Sequence, residues 1–146
     1  MAKVGRPKNI QTPDEMWQAF QKYRDAVKSN PIRVKDWVGA VATEVAREKE
    51  RPLTLEGFSV YCFEQGITSN IHDYFGNKNG SYIEFSHICR AIKEVIRQDQ
   101  IEGGMAGIYN PSITQRLNGL VEKTQADDKK EMTIKVKYEQ DSPSNE

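Results

Sequence analysis

Apolar residues recur three and four positions apart from Phe85 onward. Phe85, Ile88, Cys89, Ile92, Val95 and Ile96 form one row, Asp99 falls next in it, and Arg90, Lys93, Glu94, Arg97 and Gln98 take the opposite side. That spacing predicts an amphipathic helix with one packed and one wet face. Ahead of it, Ser81 and Glu84 have capping-box spacing, in which hydroxyl and carboxylate each accept a backbone amide at the helix start. The pattern predicts a helix from Ser81 to about Ile108, on the order of 40 Å long.

Small residues then crowd the chain at Gly103, Gly104, Ala106 and Gly107. A glycine inside a helix costs about 1 kcal/mol relative to alanine, so close approach of another helix or backbone is the expected compensation, with fraying before a turn as the plainer alternative. Gly103, Gly104 and Gly107 are therefore candidate contacts between subunits. Asn110 and Pro111 suit an N-cap and first helical position, opening a second helix with Ile113, Leu117, Leu120 and Val121 as its apolar stripe.

Upstream, Thr12, Pro13 and Glu15 mark the start of a helix carrying Trp17, Phe20, Tyr23 and Val27 on adjoining rows, and Ser29-Asn30-Pro31 ends it. The stretch from Ile32 to Arg51 fits either a helix or a β-hairpin turning near Gly39 and Ala40, and its valine and threonine content favours strands. Thr54 caps the next helix, with Leu55, Phe58 and Cys62 inward. Gly66-Ile67-Thr68 makes a turn, and Ser69 to Phe75 a short second helix. This has the cadence of a helix-turn-helix, which would present Ser69, Asn70 and His72 outward to DNA, although Ile71 lies one residue early for that motif. A plain helical hairpin is the alternative.

Near the C-terminus the period changes to two. Met132, Ile134, Val136 and Tyr138 alternate with Thr133, Lys135, Lys137 and Glu139, the pattern of a strand with one apolar face. A lone strand needs a partner for its amides and a cover for that face. The polar linker before it favours pairing between subunits, as a barrel of several copies, over pairing with the hairpin. The fold class is thus mainly α with minor β. A basic flexible arm spans 1–11, a helical core 12–123 has room for a β-hairpin near 32–47, the linker and oligomerisation strand span 124–139, and an acidic disordered tail spans 140–146.

Composition narrows the chemistry. The 146 residues hold 21 Lys and Arg against 21 Asp and Glu, so electrostatic attraction to nucleic acid must be local. The arm supplies it, since Lys3, Arg6 and Lys8 occur there without an acid. Its Gly5-Arg6-Pro7 resembles the core of an AT-hook, with Val4 where the usual preceding arginine would be. Cys62 and Cys89 lack CxxC spacing and His72 and His87 lie far apart, which predicts buried thiols, a reducing compartment and no metal site. No apolar run suggests a leader or membrane span. P-loop, GxSxG and HExxH patterns are missing, so we expect neither catalysis nor a cofactor.

Several segments together resemble the small subunit of tailed-phage terminases: GRPK, RPLTLEGFSVYCFEQGI, DYF with its turn, YIEFSHICRAIK and, most specifically, DQIEGGMAGIYNPSITQRLNGLVEK. The resemblance covers most of positions 5–123. It implies a non-enzymatic ring of identical subunits in the host cytoplasm. The ring would recognise viral double-stranded DNA and dock the terminase large subunit, whose ATPase and nuclease it regulates. The competing readings are a dimeric helix-turn-helix regulator and a structural ring adaptor that does not touch DNA.

Overall fold

The computed structural model describes residues 7–120. The first helix, α1, spans Pro13–Lys28. Thr12 caps it by accepting the Glu15 amide at 3.2 Å, while the Glu15 carboxylate reaches back to the Gln11 amide rather than to that of Thr12. Met16, Ala19, Phe20 and Tyr23 form its buried side.

The ambiguous stretch after Pro31 is a hairpin. Strand β1 (Ile32–Val38) pairs antiparallel with β2 (Thr43–Lys49), Ile32 opposite Lys49 and Val38 opposite Thr43. Gly39 and Ala42 turn the chain with positive φ, and the Ala42 amide donates to the Gly39 carbonyl. One face is laced by Arg33–Glu48 and Lys35–Glu44 ion pairs, and Arg47 bonds Asp36 on the other. Trp37 and Val41 are exposed towards the tip.

Helix α2 (Leu55–Glu64) starts where Thr54 accepts the Gly57 amide at 2.9 Å. The Tyr23 hydroxyl donates to the Thr54 carbonyl and accepts from its amide, locking the hairpin exit onto α1. Helix α3 (His72–Phe75) is a single turn, shorter than the 69–75 helix expected. Thr68 explains the late start, because its hydroxyl accepts the Asn70 amide at 3.3 Å and holds that residue in a turn.

The long helix, α4, spans Ser86–Met105, ~30 Å. The capping box expected at Ser81 does not form. The chain instead curls through two 3₁₀ turns, Lys78–Gly80 and Ile83–Phe85, with Asn77 and Asn79 left-handed. Other contacts outcompete the cap: Tyr82 packs 4.5 Å from Tyr74, its amide donates to Asn77 Oδ1, and the Glu84 carboxylate is taken by the distant Lys8.

The far end of α4 also stops earlier than expected, at a Schellman turn. The Ile108 amide donates to the Gly103 carbonyl and that of Gly107 to Gly104, with Gly107 at φ +72°. Asn110 then caps α5 (Pro111–Leu117) by accepting the Ser112 and Ile113 amides. The α5 stripe differs from expectation. Ile113, Leu117 and Leu120 are exposed and Thr114 is the buried residue, because Thr114 is the side chain that meets Gly104.

The core joins Phe20, Phe58, Phe85, Met16 and Ile92 with Leu53, Ile71 and Cys62. Phe20 meets Phe58 edge-on at 5.4 Å. Both cysteines are buried free thiols, and burial pushes each up to about 11. The segment expected to form the C-terminal strand and barrel, with Met132, Ile134, Val136 and Tyr138, lies outside the described residues, as does the expected tail.

Candidate nucleic-acid interface

The end of the N-terminal arm is part of the folded domain. Ile10 is buried, and the Tyr74 hydroxyl bonds its backbone twice, accepting from the amide at 2.9 Å and donating to the carbonyl at 3.3 Å. Burial raises the Tyr74 phenol above its ordinary value. Two residues earlier, Lys8 Nζ lies 2.6 Å from Glu84 Oε1 and sits over the Tyr82 and Phe85 rings. Of the expected arm, residues 8–11 are therefore docked. Ile10 supplies the apolar anchor and Lys8 a half-buried ion pair.

This anchoring lays the arm across the α2–α3 turn. Asn9 Nδ2 donates to Thr68 Oγ1 at 3.4 Å, and a polar cleft of about 290 Å³ opens there, lined by Lys8, Asn9, Thr68, Ser69, Asn70 and Asp73 among others. Lys8 thus lines one cleft with Ser69 and Asn70 although some sixty residues separate them. His72 is exposed nearby at the head of α3 without lining the cleft. Lys3 and Arg6 lie outside the described residues.

Sequence reasoning missed Asn9, Thr68 and Asp73. Ile10, an isolated apolar residue just before an N-cap, was the available signal that the arm returns to the core. The cleft is close to neutral. Glu84 engages Lys8, and Asp73 lies 3.7 Å from Lys78. Both pairs are partly exposed, the class that salt or a competing phosphate opens at little cost. Hydroxyl, amide and lysine groups gathered on one rim can contact phosphate oxygens, the commonest protein contact to DNA.

The glycines sit elsewhere. Gly103 and Gly104 are buried against this same chain. A Cβ on Gly103 would fall into the Tyr109 ring, and one on Gly104 would stand 2.9 Å from Thr114. The close approach expected of them is made by α5 and the loop before it, while Gly107 is exposed and serves the turn.

Fold and cleft together define a small α-rich domain with a hairpin and an exposed polar rim that includes Lys8. The chain belongs to the phage DNA-packaging family described as DNA-packaging protein gp3, whose profile matches residues 5–126. No curated protein matches the chain significantly.

Proposed function

We propose that this protein is the small subunit of a phage terminase: a non-enzymatic homo-oligomeric ring that recognises viral double-stranded DNA in the host cytoplasm and docks and regulates the large subunit. Membership of a DNA-packaging family is the observation that carries this reading. The cleft supports the DNA-recognition part, since Lys8, Ser69 and Asn70 share one rim at the foot of an arm that adds Lys3 and Arg6. The exposed apolar side chains of α5 support self-assembly. No helix among the described residues is long and apolar enough to cross a membrane.

A dimeric helix-turn-helix regulator is less well supported, because a four-residue α3 presents too few side chains to line a major groove. Balanced charge is the observation favouring a ring adaptor without DNA contact. Solution mass and salt-dependent DNA binding separate the three. A terminase small subunit runs well above dimer mass and binds duplex DNA with an affinity that falls as salt rises. A dimer points to the regulator, and a ring indifferent to DNA at low salt points to the adaptor.

A further inference from the structure

Two apolar recesses flank the root of the hairpin. On one side α2 exposes Val60 and Phe63, 54 % and 67 % accessible, and Val60 edges a recess of about 610 Å³ walled by Val27, Tyr61 and Pro52. On the other side α5 exposes Ile113 and Leu117, 57 % and 68 % accessible, over a recess of about 340 Å³ that Val34 and Ile108 help to wall. Ile32, Pro52 and Thr54 line both, so the hairpin root is the partition between them. Apolar side chains grouped in this way mark an interaction surface.

The two helices carry opposite charge, while at the recesses themselves Arg51 edges the α2 side and Lys49 and Glu50 balance each other on the α5 side, so the net signs still differ. Helix α2 carries Glu56 and Glu64 and no Lys or Arg. Helix α5 carries Arg116 and no acid, and Arg97 of α4 reaches its C-terminal end by donating to the Asn118 carbonyl at 2.9 Å. Pairing α5 with α5 would bring arginines together, and pairing α2 with α2 would bring glutamates together. Neither face complements itself, and each complements the other.

We propose that the helical cores assemble head to tail, the α2 face of one copy (Glu56, Val60, Phe63, Glu64) seating on the α5 face of the next (Ile113, Arg116, Leu117). This rests on the homo-oligomeric reading above and names the contact that reading needs. A heterologous contact leaves one face of each type free at the ends of any open chain of copies, and closure into a ring removes both.

The test uses two full-length variants, Leu117→Asp and Val60→Asp with Phe63→Asp. All three positions are exposed, so the helical circular dichroism should be unchanged. Each variant alone should lose assembly and sediment at the single-chain mass of 16.7 kDa. Mixed one to one, they should form a heterodimer and nothing larger, because only one intact pair of faces remains. Recovery on mixing also shows that both variants are folded. A variant that keeps the wild-type mass overturns the proposal. So do variants that are dimers on their own, where each face pairs with its like, and a mixture that stays monomeric, where residues 124–146 of the same chain cover the α5 face. Wild-type protein that is itself monomeric sinks the ring reading, whereas a ring-forming Leu117→Asp sinks only this interface.

Discussion

Lys28 ties four segments together at one nitrogen. Its Nζ lies 2.5 Å from Asp99 Oδ1, 2.9 Å from Glu50 Oε1 and 2.9 Å from the Tyr109 hydroxyl, and donates to the Arg51 carbonyl. Asp99 also accepts the Leu53 amide at 2.9 Å. Partial burial would lower the Lys28 pKa, but the hydrogen bonds to Asp99, Tyr109 and Glu50 outweigh it and the net shift is upward. A lysine whose folded pKa is raised contributes stability in full below its unfolded value, and that contribution is lost as pH rises through the folded one. Lys28→Met should therefore cost about 2 kcal/mol, reduced from the fully buried case by the partial exposure of Lys28. The deficit relative to wild type should stay flat between about pH 6 and 9 and shrink only above the ordinary lysine value of 10.5. Urea titrations of both proteins across that range check it, and a deficit that changes near neutral pH would assign the effect to another group. Asp99 was visible in the sequence only as the polar member of an apolar row. Its partner lies seventy-one positions away, beyond the reach of a periodic pattern.

Among the elements, those whose ends are set by their own residues were legible in advance. Thr12, Thr54 and Asn110 cap where their spacing indicated, and the hairpin turns at Gly39. The start of α4 was not legible, because the fate of Glu84 is decided by Lys8 and that of Tyr82 by Tyr74. The elbow between α4 and α5 lies between these cases: the glycines announced a close approach but not its partner. That partner sets a graded expectation. Gly103→Ala pushes a methyl into the Tyr109 ring, which also supports Lys28, so the aromatic must leave and the Schellman turn with it. Gly104→Ala sets its methyl 2.9 Å from the buried Thr114 side chain, which must shift, but by less than the far closer Tyr109 ring. Gly103→Ala should lose about 1 to 3 kcal/mol in chemical denaturation, and Gly104→Ala distinctly less. Gly104→Leu should match or exceed the Gly103 variant. Equal, negligible effects at all three would mean that the elbow opens freely.

For the whole molecule, assembly, which needs the core contact as well as the C-terminal stretch, should be separable from DNA contact at the N-terminal arm. At the C-terminus, Ile134→Asp with Val136→Asp places carboxylates on the apolar side of the alternating stretch. If copies of that stretch close together, repeated unpaired charges cost several kcal/mol each, and the solution mass should fall while helical circular dichroism persists. Global unfolding would instead assign the stretch to the monomer's own sheet. At the N-terminus the docked Ile10 divides the arm in two. Removing residues 1–6 takes away Lys3 and Arg6 but leaves Lys8, Ile10 and the Tyr74 bonds in place. Removing residues 1–11 also empties the Ile10 site, which should cost about 2 to 4 kcal/mol, and strips the Tyr74 hydroxyl of its backbone partners. The short truncation should therefore melt like wild type and keep its assembly state, while its DNA affinity drops. With both of those cations gone from the phosphates, the slope of log affinity against log salt should also become shallower by about 2. The long truncation should melt markedly lower, so its weaker binding would mix a folding defect with the missing arm charge. Unchanged affinity and salt slope in the short truncation would place the DNA contact entirely on the cleft and its neighbours, with Lys8, Ser69 and Asn70 the next residues to change.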